Sequence, residues 1–355
     1  MGLAKFYFIR LVVLPLLILK IHVLVWIKTL LFLLTKAFVK GRNQLVVRTP
    51  ESEFEGLDVV GYNFKPHYVD LPLGGGKALP RVHYVDEGPE DACETILCLH
   101  GEPSWSFLYR HMIPPLVKAG YRVIAPDFIG FGKSDKYTYM ECYSHQLHTQ
   151  TLCLLIDHLK LRNVTLVCQD WGGLTGLPVV RDMSEVFSRL VIMNTGLPDG
   201  QKPLPTPANI ASCTPFLLWR AFAELFGVWL PIHLIFNYSL QKANHGVLLG
   251  YTAPFPSGLY KAGAAAWPLM VPTFSVGFVG TDLKQTQDFL AKQWHKPALI
   301  MFSDKDPITQ MWPSKFEKLL PNASKKTVVG AGHFLQEDKG EEIANHVIAF
   351  VNGKI

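Results

Sequence analysis

Short apolar runs, each closing on a glycine, aspartate or asparagine, recur along the chain from about Gly41 onward. They read RVHYVDEG, TILCLHG, YRVIAPD, VTLVCQD, RLVIMN, ALIMFSD and KTVVGAG, and stretches of helical composition separate them. Apolar runs of this length that alternate with helices are typical of buried parallel strands. The pattern therefore predicts an α/β protein with a mostly parallel sheet that helices cover on both faces.

A long interval between RLVIMN and ALIMFSD breaks this alternation. Residues 197–290 are rich in proline, tryptophan and phenylalanine and poor in strand signals. Open α/β sheets bind ligands at the carboxyl ends of their strands, so an insertion at this place predicts a mainly helical cap over that edge. We expect a core formed by residues 41–196 and 291–355, with the cap over residues 197–290.

The first forty residues follow a different pattern. Residues 6–39 are apolar on almost every helical face, but a basic residue interrupts them every eight to ten positions. Lysines can extend to a membrane surface, whereas in a protein core they would be costly. A cleaved signal peptide does not fit, because the apolar region is long and no small-residue site closes it. We expect residues 1–40 to anchor the protein to a membrane, with the endoplasmic reticulum as a candidate location and the topology open.

Charge and cysteine content narrow the possible partners. The net charge of +5 has its origin in the basic residues of the first 42 positions, and no comparable basic cluster follows. This distribution favours a membrane surface over a nucleic acid as partner. The six cysteines form no C-x-x-C pair and no zinc-ligand spacing, so we expect reduced thiols, no metal and no cofactor.

One strand-to-helix junction carries an unexpected residue. CQDWGG, residues 168–173, has the form of a nucleophile elbow, with Asp170 at the tip where serine is usual. Asp306 follows the run ALIMFS, and His333 follows KTVV. Nucleophile, acid and histidine in this order form the α/β-hydrolase triad, and strands that end together would bring the three side chains to one place. We predict Asp170, Asp306 and His333 as catalytic residues.

The turn HGEPSW, residues 100–105, directly follows the strand TILCL. A tight turn here can aim the backbone N–H of Glu102 at the pocket, opposite the N–H of Trp171. The two groups would form an oxyanion hole. We interpret His100 and Pro103 as residues that shape the turn.

A carboxylate nucleophile indicates the reaction class. A serine that attacks an sp³ carbon would form an ether, which water does not readily cleave. A carboxylate forms an ester, which water cleaves at the carbonyl once His333, oriented by Asp306, has activated it. Asp170 therefore favours transfer of an alkyl group and excludes an ordinary esterase or lipase.

Two leaving groups fit this chemistry, a halide or the oxygen of an epoxide. A halide needs N–H donors in a dry apolar pocket, and Trp171 can supply the first. Candidate second donors in the predicted cap are Trp219, Trp229 and Trp267. An epoxide needs an acid, for which the cap offers Tyr238, Tyr251 and Tyr260. Composition leaves both alternatives open.

Residues from about 95 to 340 resemble the haloalkane dehalogenases, in particular the bacterial branch that acts on short chlorinated alkanes. The matching stretches are HGEPSWSFLYR, PDFIGFGKSDK, QDWGG, YTAPFPSGLYKAG and GHFLQE. Epoxide hydrolases share HG, DWGG and GH, but they usually have HGFP where this chain has HGEP. Glu102 therefore argues against an epoxide hydrolase.

This resemblance implies an α/β-hydrolase fold with a mostly parallel eight-stranded sheet and an inserted helical cap. It implies that Asp170 is the nucleophile, His333 the base and Asp306 the acid. It also makes Trp171 the first halide donor and Trp219, within FLLWRAF, the second. The implied partners are a small lipophilic haloalkane, water and halide. An epoxide hydrolase remains the nearest alternative, and a coelenterazine-type oxygenase a more remote one.

Overall fold

The computed structural model describes residues 45–200, 207–241, 243–273 and 277–355. All seven apolar runs form strands, and an eighth strand, His67–Val69, precedes them. In chain order the strands are β1 His67–Val69, β2 Val82–Glu87, β3 Thr95–Leu99, β4 Arg122–Pro126, β5 Val164–Gln169, β6 Phe187–Met193, β7 Ala298–Ser303 and β8 Ser324–Val328. Two short antiparallel pairs lie outside this sheet: Val46–Val47 with Lys136–Tyr137, and Pro72–Gly74 with Lys77–Ala78.

The eight strands form one sheet in the order β8-β7-β6-β5-β3-β4-β2-β1. The six strands from β8 to β4 are parallel, and the pairs β4–β2 and β2–β1 are antiparallel. After β3 the chain adds β4 on one side and β5 on the other, so a crevice opens at the carboxyl ends of these central strands. The predicted α/β-hydrolase fold with a mostly parallel eight-stranded sheet is confirmed.

Helices cover the sheet. They are α1 Ile113–Lys118, α2 His145–His158, α3 Trp171–Asp182, α4 Pro207–Phe226, α5 Ile232–Ser239, α6 His245–Thr252, α7 Ala262–Met270, α8 Gly277–Lys292, α9 Pro313–Leu319 and α10 Leu335–Val351. Short 3₁₀ helices span Glu51–Phe54, Leu57–Val60, Ser106–Tyr109, Met140–Cys142, Gly227–Trp229 and Gly258–Tyr260. In the core, α1 packs against α10, and α3 packs against α2 and α8. Helices α4 to α8 all fall between β6 and β7, where α4 contacts α7 and α5 contacts α6.

A buried ion pair and its hydrogen bonds join four distant parts of the chain. The guanidinium of Arg110 donates to both carboxylate oxygens of Glu337, at 2.5 and 2.6 Å. The hydroxyl of Tyr251, on α6, donates to the same carboxylate at 2.7 Å. A third guanidinium nitrogen of Arg110 donates to the carbonyl oxygen of Val60 at 2.8 Å. Because both charges are fully hydrogen-bonded, they can stay buried without a large loss of stability.

The predicted membrane-anchored location is wrong. A bilayer core needs about twenty consecutive apolar residues in a helix, and no helix in the described part of the chain is long and apolar enough to cross one. The segment 6–39, on which the prediction of an anchor and of a membrane partner was based, lies outside the described residues.

The junction between β5 and α3 leaves no room for side chains at its glycines. A Cβ atom at Gly172 would lie 2.1 Å from the carbonyl oxygen of Leu99 on β3. A Cβ atom at Gly173 would lie 2.2 Å from the Thr195 hydroxyl oxygen. The pair of glycines after Trp171 therefore lets the start of α3 sit directly against the neighbouring strands.

We expect Gly172→Ala to lower the free energy of unfolding by about 2–3 kcal/mol. The new methyl group would meet the backbone of Leu99, and neither the start of α3 nor β3 can move away without breaking strand pairing. Gly258→Ala is the control, since its Cβ would lie 3.3 Å from the carbonyl oxygen of Val228. That variant should lose less than about 1 kcal/mol. Urea unfolding measures both values, and equal losses at the two positions would contradict the steric argument.

Candidate active site

Asp170 occupies the tip of the β5–α3 junction in a strained backbone conformation. Its φ is +52° and its ψ is −121°, a combination that a residue with a side chain rarely adopts. Hydrogen bonds on both sides hold it. The Asp170 N–H donates to the carbonyl oxygen of Asn194 at 3.0 Å, and the Thr195 hydroxyl donates to the Asp170 carbonyl oxygen at 2.6 Å. In this conformation Asp170 lines a cavity at the carboxyl ends of the strands.

The structure brings the three predicted catalytic residues together. His333 Nδ1 donates to Oδ2 of Asp306 at 3.0 Å. On the other side of the ring, His333 Nε2 lies 3.6 Å from Oδ2 of Asp170. Asp306 also accepts from the Thr309 hydroxyl and, at 2.8 Å, from the N–H of Ile308. These contacts fix the carboxylate that orients the imidazole.

The charges of this group depend on one another. Burial disfavours the protonated form of His333, but the Asp306 and Asp170 carboxylates outweigh it and raise the pKa of His333 to about 10. Burial likewise opposes ionisation of Asp306, yet His333 and the bonds from Thr309 and Ile308 lower the pKa of Asp306. The imidazole is therefore cationic between two carboxylates at neutral pH.

Glu102 contributes its backbone and its side chain in different ways. Its N–H donates to Oδ1 of Asp170 at 2.8 Å, which is the geometry expected of the predicted oxyanion turn. Its carboxyl group is buried, and burial together with the charge of Asp170 raises the pKa of Glu102 well above its usual range. Both influences favour the protonated, neutral form of the Glu102 side chain.

His100 supports this turn from behind. Its Nε2 accepts from the N–H of Phe128 at 3.1 Å, and its Nδ1 bonds to the carbonyl oxygen of Gly101 at 2.9 Å. Burial lowers the pKa of His100 against the opposing charges of nearby carboxylates. A neutral imidazole with the proton on Nδ1 satisfies both bonds.

A cavity of about 900 Å³ lies over Asp170. Both Trp171 and Trp219 line it, together with Glu102 and His333. Its apolar wall consists of Leu174, Phe216, Leu217, Ile235, Pro268, Val271, Met311 and Phe334. Asp199 and three lysines, Lys305, Lys315 and Lys318, also line the cavity. The apolar part of the wall suits a lipophilic substrate.

The other candidate donors and acids differ in their access to this cavity. Trp229 is 78% exposed, and the indole N–H of Trp267 is bonded to His148. Tyr251 donates its hydroxyl to Glu337, whereas Tyr238 lines the cavity but is 83% exposed. Trp219 is thus the candidate tryptophan of the insertion that reaches the cavity.

Three residues near His333 were not identified from the sequence. Asn194 donates to the carbonyl oxygen of His333 at 3.1 Å and bonds Ser303 through both amide atoms. Gln169 donates to the same carbonyl oxygen at 3.2 Å, and Thr309 bonds Asp306. Asn194 follows β6 as Asp170 follows β5, so its place at a strand end was a usable signal. The sequence contained no comparable signal for Thr309 or Gln169.

Known proteins similar to this chain point to one family. The family profile of the α/β-hydrolase fold matches residues 94–340. The haloalkane dehalogenase of Psychrobacter cryohalolentis is 40% identical over 310 residues, which cover 86% of this chain and 98% of that protein. Haloalkane dehalogenase 1 of Mycobacterium tuberculosis is 42% identical over 308 residues, with the same coverage.

A solved structure leads to the same family. The tetrameric haloalkane dehalogenase of Paraglaciecola agarilytica superposes with a TM-score of 0.77 at 37% identity, over 85% of this chain and 97% of that one. The family resemblance found in the motifs of the sequence is confirmed. With its fold, its junction at Asp170 and these relatives taken together, the chain belongs to the haloalkane dehalogenase family of the α/β-hydrolase fold.

Proposed function

We propose that this protein hydrolyses the carbon–halogen bond of small lipophilic haloalkanes, giving an alcohol and a halide. The observation that carries the proposal is the carboxylate of Asp170 in an apolar cavity, with Glu102 N–H at 2.8 Å and His333 at 3.6 Å. The epoxide hydrolase and oxygenase alternatives gain no support from the relatives of Psychrobacter cryohalolentis and Mycobacterium tuberculosis, which are both named haloalkane dehalogenases.

In the first step, a carboxylate oxygen of Asp170 attacks the sp³ carbon that carries the halogen. The new C–O bond forms as the C–X bond breaks, and the halide leaves with the bonding electron pair. The indole N–H groups of Trp171 and Trp219 stabilise the developing anion. Residues 197–290 act as a cap that supplies Trp219 and keeps the cavity dry.

In the second step, His333 takes a proton from water, and the hydroxide attacks the carbonyl carbon of the Asp170 ester. The backbone N–H groups of Glu102 and Trp171 stabilise the oxyanion. Collapse of this intermediate breaks the bond to the alkyl oxygen, which takes the proton from His333 and leaves as alcohol. The hydroxyl proton that remains on the Asp170 carboxylic acid then leaves. The net reaction therefore consumes one water, releases one proton together with the halide, and restores the Asp170 carboxylate.

Electrostatics separate the two steps. In the free enzyme the charge of Asp170 helps to keep His333 protonated. Ester formation removes that charge, so the pKa of His333 falls at the moment when a base is needed. The neutral Glu102 side chain adds no negative charge that would repel either Asp170 or the departing halide.

Asp170→Asn should remove turnover, because the amide has nearly the same shape but is a poor nucleophile. Bromide release from 1,2-dibromoethane should fall by at least about 10³-fold, with an unchanged unfolding curve. Asp182→Asn, at the exposed far end of α3, is the matched control and should keep full activity. Diol formation from styrene oxide, without bromide release by the wild type, would contradict the proposed function.

His333→Gln should release about one equivalent of bromide per enzyme and then stop, because only ester hydrolysis needs the base. Mass spectrometry should locate the added alkyl group on the peptide that contains Asp170. His346→Gln, on α10 and paired only locally with Glu342, should turn over normally. An adduct on another residue would show that the assigned roles are wrong.

Glu102→Gln should change how stability depends on pH. The unfolded chain ionises at this position above about pH 4.5 while the folded protein stays neutral, since burial raises the pKa of Glu102. The unfolded state then binds fewer protons, so this group lowers stability as pH rises from about 4.5 toward its folded pKa. Glutamine cannot ionise and removes the effect.

The measurement is the unfolding free energy of wild type and variant at pH 5 and pH 8. The advantage of Glu102→Gln should grow with pH, while Glu53→Gln, at an exposed position, should show no such growth. A difference that stays constant between the two pH values would contradict a neutral Glu102.

A further inference from the structure

Trp267, on α7, is fully buried behind Trp171. The two indole rings stack with centroids 4.8 Å apart and an angle of 26° between their planes. The Trp267 ring also packs against Phe131, with the ring centroids 4.1 Å apart, and lies nearly parallel to the His100 ring, with the centroids 6.0 Å apart. Trp267 thus connects the insertion between β6 and β7 to the side chain that follows the nucleophile.

A hydrogen bond fixes the orientation of this ring. The Trp267 indole N–H donates to Nε2 of His148 at 2.6 Å, and His148 is fully buried on α2. An imidazole that accepts at Nε2 carries its proton on Nδ1. Burial, reinforced by the nearby imidazoles of His145 and His100, lowers the pKa of His148 well below its usual value. His148 therefore remains an acceptor over the ordinary pH range.

The bond aims the Trp267 N–H at α2, so Trp267 is not a halide donor itself. Its ring face instead forms the support against which Trp171 lies. The imidazole of His145 also lies near Trp171, with the two ring centroids 6.3 Å apart. Any rotation of Trp267 about its side-chain bonds would break the bond to His148 and remove the support from Trp171.

Core packing by itself does not account for the pair. A phenylalanine would fill much of the same space without placing an indole N–H and an imidazole in an apolar environment. Trp294 shows that this fold also accepts a buried indole N–H for which the described residues provide no hydrogen-bond partner. The bond between Trp267 and His148 thus fixes the orientation of the Trp267 ring. The Trp171 indole lies against that ring, and its N–H can stabilise an anion only when it is well aligned.

We infer that Trp267 and His148 are positioning residues that fix the Trp171 indole for halide stabilisation. The inference rests on the proposed function of Trp171 and extends it to two residues that do not touch the substrate. It assigns the pair to the first chemical step, in which the halide develops its charge. Ester hydrolysis, which uses His333 and backbone N–H groups, does not depend on the pair.

The test measures both steps in four variants. Trp267→Phe and His148→Leu remove the donor and the acceptor, His148→Gln keeps an acceptor, and Trp294→Phe is the control for losing a buried tryptophan. Rapid quenching with 1,2-dibromoethane gives the rates at which the Asp170 ester forms and decays. Inhibition by added bromide gives the halide affinity.

We expect Trp267→Phe and His148→Leu to slow ester formation and weaken bromide inhibition by about tenfold, because a misaligned N–H donor loses most of its interaction. Ester decay should stay within about twofold of wild type. His148→Gln should recover most of the bromide affinity, and Trp294→Phe should match wild type. This pattern of one affected step would not arise from a general loss of packing.

Unchanged bromide inhibition in both Trp267→Phe and His148→Leu would overturn the inference, as would equal losses in formation and decay. If Trp267→Phe does not fold, the bromide inhibition of His148→Leu is compared with that of His148→Gln. Equal bromide inhibition in these two variants would also overturn the inference. Trp171→Phe separates the proposed function from the inference. If only Trp171→Phe weakens bromide binding, the proposed function stands and the positioning role of Trp267 and His148 is wrong. If Trp171→Phe does not weaken bromide binding, the role of Trp171 as a halide donor is itself wrong.

Discussion

The bidentate bond between Arg110 and Glu337 holds the elements around the active site in one arrangement. Arg110 directly follows the 3₁₀ helix Ser106–Tyr109, which comes after the Glu102 turn, and Glu337 lies four residues after His333 on α10. Tyr251 brings α6 of the insertion to the same carboxylate. Removing one partner would leave a buried charge unpaired, which is strongly destabilising. The Glu102 turn, the loop that carries His333 and the insertion are consequently fixed relative to one another.

Within this arrangement three charged groups lie together at the nucleophile. Asp170 and Asp306 flank a cationic His333, so the three groups carry a single net negative charge. Glu102 would add a second negative charge beside Asp170, but burial raises the pKa of Glu102 and so disfavours its ionised form. An apolar wall strengthens these interactions because little water screens them. The same wall favours a lipophilic substrate and a halide held by indole N–H groups.

The rings of Trp267 and His148, which lie behind the cavity, support Trp171, whereas the residues of the cavity wall surround the substrate. Trp171 and Trp219 face the cavity, whereas Trp267 and His148 lie behind Trp171 and do not reach it. Packing around them is dense and tolerates little displacement. A donor supported on its rear face can meet a developing anion without reorganising, and this lowers the cost of the reaction. The insertion therefore contributes both to the wall of the cavity and to its rigidity.

The sequence by itself determined the fold class, the positions of the strands and the candidate triad. Each of these depends on local signals: an apolar run makes a strand, and the residue that follows it lies at the edge where parallel strands end together. Asp170, Asp306 and His333 could be identified in this way, and so could Asn194. The apolar segment 6–39 gave a local signal too, but the membrane location inferred from it was wrong.

Only the tertiary structure decided which tryptophans reach the cavity, that burial raises the pKa of Glu102, and that Trp267 is bonded to His148. These properties depend on distances between residues far apart in the sequence: Trp267 and His148 are separated by 119 positions and Glu102 and Asp170 by 68. Composition does not encode the direction of an indole N–H or the burial of a carboxyl group. Those are set by packing between elements, which forms only when the chain has folded.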